Sequence, residues 1–192
     1  MIALVLVIPV GRVVRGRGPE EPQIHFPLPA FELVNQRNEP FGLAELRGKV
    51  WVANFVFTTC PTVCPKLTGK MAEIQHRSRH LGDAFQLVTI TVDPENDTPE
   101  VLARYGQEAG AQPGRWWFLT GKLDVLEPTV VKGFKVAMGK GDRGNGLFEI
   151  FHGEHLVLVD REGTIRGYYQ ADDAGIDRLL GDAGALVNAS PN

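Results

Sequence analysis

Val50 to Phe57 (VWVANFVF) is an unbroken apolar, β-branched and aromatic run, the pattern of a strand buried on both faces. Just after it, Leu67, Met71 and Ile74 recur at helical spacing, which predicts a helix from about Pro61 to the vicinity of Arg79. Phe85 to Val92 (FQLVTITV) is a second buried strand, and strand, helix, strand in that order implies a right-handed parallel crossover. Thr98 and Pro99 supply an N-cap and a first-turn proline for a helix through about Glu108. Trp116 to Leu119 reads as a third short strand and Lys122 to Val131 as a helix. Ahead of this unit, Phe31 to Val34 reads as a short strand, Asn35 to Pro40 as a turn and Gly42 to Lys49 as the lead into the central strand. Beyond it, Phe134 to Met138 and Leu147 to Phe151 flank the Gly-rich GKGDRGNG and read as a hairpin. His155 to Asp160 and Thr164 to Tyr169, joined by the turn Arg161 to Gly163, form a second hairpin, and a last helix covers about Asp172 to Val187. The expected fold is α/β: a central mixed sheet between helices, with an inserted β-hairpin.

The N-terminus follows another pattern. Met1 to Val10 (MIALVLVIPV) is apolar and is followed by Arg12, Arg15 and Arg17. It is shorter than the roughly 20 residues a membrane-spanning helix needs. Its length suits a signal-peptide core, yet no basic segment precedes it and no clean small-residue cleavage site follows. It reads as part of a longer membrane anchor, with an orientation that the arginines leave open. Gly16 to Pro29 carries four prolines and reads as an extended linker, so residues 1–28 are expected to be anchor and linker, and 29–188 the folded domain.

The 192 residues suit one domain, and 43% hydrophobic residues are ample for a core. Twenty basic against 23 acidic residues leave a net charge of −3 without a Lys/Arg-rich run, which argues against nucleic acid as a partner.

The candidate chemistry lies in FVFTTCPTVCPKLTGKM, Phe55 to Met71, which holds both cysteines of the chain. Cys60 and Cys64 fall where the central strand turns into the helix. On a first helical turn, side chains four apart share one face with Cβ atoms about 5–6 Å apart, so the two sulfurs could share a metal ion or join as a disulfide. A helix N-terminus also favours thiolates, which are both the nucleophiles and the metal ligands. Thr58 and Thr59 before Cys60, with Pro61 and Pro65 after the two cysteines, mark an exposed turn and helix start instead of a core.

FTTCPTVCPKLTGKM, TVDPENDTPEVLARYG (Thr91 to Gly106) and HGEHLVLVDREGTIRGYY (His152 to Tyr169) together resemble the SCO/SenC family of thioredoxin-like copper chaperones, over nearly everything from Pro29 to the last helix. The resemblance implies a thioredoxin-like three-layer sandwich. It also implies a metal site of Cys60, Cys64 and a distant histidine eight residues before the turn-opening Asp160, which is His152. The same two cysteines would form the redox pair. His155 falls at a variable, strand-opening position. His76 and His80, four apart near the end of the first helix, read as an exposed polar pair, and His25 lies in the linker. The resemblance places the loop opened by Asp93 near the cysteines; Asn96 stands where the family often carries arginine, and Asp93 also suits a plain turn before Pro94.

Two enzyme readings can be tested on spacing. Thiol–disulfide oxidoreductases of this superfamily have Cys-x-x-Cys faced by a cis-proline; here one more residue separates the cysteines, and the position six before Asp160 is Glu154. Peroxiredoxins show Pro-x-x-x-Thr-x-x-Cys; counting back from Cys60 meets Phe57 and Ala53, and from Cys64 meets Pro61 and Phe57. Two thiolates with one imidazole make a soft, low-coordinate site that suits Cu(I), and Cu(II) with a further donor, whereas structural zinc takes four ligands. The resemblance supplies the rest as expectations. The protein would be a metallochaperone, not an enzyme, tethered to the inner membrane and facing the periplasm. Its recipient would be the binuclear copper centre of cytochrome c oxidase subunit II, and its own supplier a periplasmic copper donor or thiol reductant. A thiol reductant of the oxidase cysteines and a redox or copper sensor are the alternatives.

Overall fold

A computed structural model describes residues 26–136, 138 and 155–189. Strand β4 (Val50–Val56) is buried at all seven positions, as its apolar run requires. It pairs in parallel with β5 (Phe85–Thr91) along its whole length, and β5 pairs in parallel with β6 (Trp116–Thr120). On the other side of β4 lies β7 (His155–Val159), antiparallel, followed by β8 (Thr164–Gln170). Four residues of β2 (Glu32–Asn35) and three of β3 (Pro40–Gly42) extend the β6 edge. The strand order is β1-β8-β7-β4-β5-β6-β2-β3.

Alternation along β4 divides the core. Val50 and Val52 face Met71 and Ile74 of α2 (Val63–Arg77), Leu102 of α3 (Pro99–Glu108) and Ile176, Leu179 and Ala183 of α5 (Asp173–Asn188). Trp51, Ala53 and Phe55 face Leu43 and Leu46 of the single turn α1 (Leu43–Leu46), Leu126 of α4 (Leu123–Glu127), then Val130 and Phe134. Because successive strand side chains point to opposite faces, one buried strand serves both layers, and the result is the expected three-layer sandwich. Among the described residues no helix is long and apolar enough to cross a membrane.

The Thr98 cap behaves as read, and Asp172, which the sequence reading places inside the last helix, instead caps it. The Thr98 hydroxyl accepts from Val101 N–H at 3.4 Å, and the Asp172 carboxylate accepts from Gly175 N–H at 2.7 Å. Asp160 closes the β7–β8 turn by accepting from the N–H groups of Glu162 and Thr164, and Gly163 takes a φ of +83° that an L side chain would strain.

Three readings need correcting or extending. The stretch taken as linker ends in structure: Phe26 and Pro27 form strand β1 on β8, and Leu28 N–H bonds Gly163 C=O at 2.9 Å. Phe134 to Val136 are not extended as a hairpin arm, since Phe134 is helical and Lys135 has φ +56°. Phe134 instead ends a π turn (Pro128–Gly133) that follows α4, because its ring fills a slot between Phe31, Trp51 and Phe55. The rest of that expected hairpin lies outside the described residues. Finally, α2 starts at Val63 and not Pro61; proline disfavours the helical region for the residue before it, so Cys60 is left in the turn.

Candidate functional site

The parallel strands β4 and β5 end side by side, and Val92 N–H still bonds Val56 C=O at 2.9 Å. Such carboxyl ends are where loops can bring side chains together. Here they bring Cys60, from the turn after β4, over Cys64 in the first turn of α2. The Cys60 sulfur accepts the Cys64 N–H at 3.4 Å, and both thiols are free. The expected shared helical face is thus replaced by a sulfur capping the helix that carries the other sulfur.

The exposed-turn reading holds only for the backbone around the pair. Thr59, Pro61 and Thr62 are exposed, but Cys60 is 8% and Cys64 1% exposed. Beneath the turn the sulfurs join Val56 in a small apolar cluster, with Phe57, Val63 and Tyr105 packed against it. Apolar burial and helix-end donors act unequally on the two thiols. For Cys60, burial raises the pKa, but the N–H groups of Cys64, Thr62 and Val63 and the Cys64 thiol together bring it below the ordinary thiol value. For Cys64, burial dominates, the nearby Cys60 and Asp97 add to it, and the thiol is pushed up to about 12. A helix N-terminus therefore activates one cysteine of the pair and not both.

Residues 93–97 lie against this turn, as expected, but the contact is made by Asp97 and not Asp93. Asp93 is a turn residue: its carboxylate accepts from Asn96 Nδ2 at 2.7 Å and its N–H bonds Thr91 Oγ1 at 3.0 Å. Asp97, fully buried, accepts from Thr58 N–H at 3.1 Å, from Thr58 Oγ1 at 2.5 Å and from Thr91 Oγ1 at 2.5 Å. Burial pushes its carboxyl above the ordinary carboxylate range, against those hydrogen bonds. Sequence reading missed Asp97. The available signal was its place just before Thr98, which already caps α3 and leaves the neighbouring acid without a helical task. Tyr105, also missed, closes the site on the α3 side and shares a 2.6 Å hydrogen bond with Thr68.

Among the histidines, His152 lies outside the described residues, as does the neighbouring Glu154. His155 opens β7, and its Nε2 sits 2.8 Å from Gln170 Nε2 on β8. His76 and His80 do not share a helix: α2 ends at Arg77, and His76 contacts Arg79 at 3.2 Å on an exposed surface. Among the described residues no group of three or more His, Cys, Asp or Glu could hold a metal ion. The described donors are therefore the two thiols, whose softness fits a monovalent copper ion better than a hard cation.

Comparison with known proteins points one way. The family model described as SCO1/SenC matches residues 21–187. A SCO1/SenC family lipoprotein from Bacillus anthracis superposes with a TM-score of 0.78 at 31% identity, covering 87% of this chain and 98% of that one. BsSco, a member of the Sco family of cytochrome c oxidase assembly proteins with an identified disulfide switch, gives 0.76 at 27% over 88% and 98%. Copper-bound yeast Sco1 gives 0.68 at 25% over 84% and 91%.

Proposed function

Because the chain belongs to the SCO1/SenC family, we propose that it is a copper-binding metallochaperone acting in cytochrome c oxidase assembly. The copper would be held by Cys60, Cys64 and His152 and passed to the binuclear centre of subunit II. One observation carries this reading: two free thiols converge at the end of β4 under an exposed turn, one sulfur accepting the N–H of the other's residue. Two soft donors in near-linear array satisfy Cu(I), and an imidazole adds the nitrogen that Cu(II) prefers. A site with so few ligands binds and releases its cargo more readily than a closed four-ligand one. The copper-bound yeast relative supports the cargo, and the assembly role of BsSco supports the destination. The Bacillus anthracis lipoprotein supports a membrane tether outside the cytoplasm, with the residues before Phe26 as anchor and linker and those from β1 to residue 188 as the working domain. There a copper donor or a thiol reductant of the periplasm would meet it.

The test is anaerobic titration of reduced protein with Cu(I) against a chromophoric chelator. Wild type should load stoichiometrically, while Cys60→Ser and Cys64→Ser, folding normally, should each lose nearly all copper. Stoichiometric copper in either variant would rule out a shared site.

The unequal thiols favour a second reading, a reductant of the oxidase cysteines, with Cys60 attacking and Cys64 resolving. Stoichiometric copper loading combined with negligible reduction of insulin disulfides would decide for the chaperone.

A further inference from the structure

The large hydrophobic side chains left exposed among the described residues, Leu123, Val125 and Val131, all lie in α4 and the π turn that follows it. Val125 and Pro128 line a groove of about 590 Å³ together with Leu28, Pro29, Ala30 and Phe31. That volume is in the range of sites that take small apolar molecules, and Pro29, Ala30, Val125 and Pro128 are exposed. The charged groups lining the groove, Glu32 and Asp124 against Lys132, do not make it basic, so what it offers an occupant is apolar surface. It lies on the Phe134 side of the sheet, the layer of Leu28, Leu126 and Val130. Cys60 and Cys64 sit instead at the end of β4 beside α2, so an occupant of the groove leaves their turn open.

We propose that this groove is the membrane-facing surface of the domain and seats an acyl chain of the bilayer to which the protein is tethered. This inference rests on the tether proposed above, with the residues before Phe26 as anchor and linker. The occupant follows from where that tether enters the domain. Phe26 and Pro27 form β1, and the next residues, Leu28 to Phe31, build a wall of the groove. Residues 11–25 separate the apolar run Met1 to Val10 from Phe26, and even fully extended they reach only about 50 Å. The groove is thereby held near the bilayer at an effective concentration on the order of millimolar, at which a modest apolar contact suffices. Seated in this way, the domain keeps its cysteine turn uncovered and beside the membrane, within reach of a membrane-bound recipient.

The test reconstitutes the full chain into phosphatidylcholine vesicles containing a phospholipid whose acyl chain carries a photoactivatable benzophenone. After irradiation, lipid adducts are mapped by mass spectrometry of the peptides. Residues 26–32 and 122–133 should carry several-fold more adduct than α3, which lies on the opposite face of the sheet. Val125→Gln, at an exposed position, exchanges apolar surface for an amide and should cut the groove adducts at least about threefold, while adducts on residues 1–25 stay unchanged. Those N-terminal adducts report the tether separately. Adducts on residues 1–25 with groove labelling no higher than that of α3 would overturn the membrane contact and leave the groove to a protein partner. Groove labelling that Val125→Gln does not reduce would overturn it as well. Groove adducts without any on residues 1–25 would overturn the tether and leave the contact standing, and adducts on neither would overturn both.

Discussion

Limited alkylation of the reduced, metal-free protein should mark Cys60 almost alone. Cys64, at about 12, is ionised in roughly one molecule in 10⁵ at pH 7, whereas a thiol at the ordinary value of about 8.5 is ionised in about 3 in 100. Cys60 lies below its ordinary value, so its thiolate fraction exceeds that of Cys64 by roughly 10³ or more. Thiolate nucleophilicity rises with pKa at a slope of about 0.4–0.5, which returns roughly 40-fold to Cys64 and leaves a net preference of roughly 10². The greater exposure of Cys60, 8% against 1%, acts in the same direction. The assay is a brief iodoacetamide pulse at pH 7, an acid quench and fragmentation of the peptide between residues 60 and 64. Comparable labelling of the two, or labelling of Cys64 first, would refute the reasoning. With rising pH the Cys60 rate should level off once its lowered pKa is passed, while Cys64 keeps climbing. The same asymmetry bears on stability. Below the unfolded thiol pKa, Cys64 is neutral in both states. Above it the unfolded chain ionises first, so the contribution of Cys64 is lost as pH rises towards the folded value of about 12.

Two further outcomes extend the picture. Removing an imidazole should hurt Cu(II) far more than Cu(I). His152→Ala is expected to weaken Cu(II) and abolish the thiolate-to-copper absorption band, while His155→Ala, whose ring is engaged with Gln170, leaves both largely intact; a band lost only in His155→Ala would reverse the assignment. Phe134→Ala empties a fully buried ring position, with Phe55 at 5.1 Å and Trp51 at 5.9 Å between centroids. It should cost about 3–5 kcal/mol in urea denaturation, and a cost under about 1 kcal/mol would mean that the surrounding layer collapses onto the gap.

Sequence alone determined the elements whose signals are local. A seven-residue buried strand, a Thr-Pro helix start, an Asp that closes a turn and a glycine at positive φ are each set by a few neighbouring residues. Motif spacing likewise located the cysteine pair and the family. Tertiary structure decided what depends on residues far apart in the chain. That Phe26 and Pro27 join the sheet follows from an open edge on β8 more than a hundred residues later. Phe134 stays helical because Phe31, Trp51 and Phe55 converge to receive its ring. The unequal thiols arise because Val56, Phe57, Val63 and Tyr105 bury both sulfurs while the helix-end N–H groups reach Cys60 better. The tie from Asp97 to Thr58 spans 39 positions, so the Thr98 cap beside Asp97 is a local hint, but the partner that draws this acid inward is set by the fold. Burial and electrostatics act through space, so the chemistry of the pair is a property of the fold and only its location is a property of the motif.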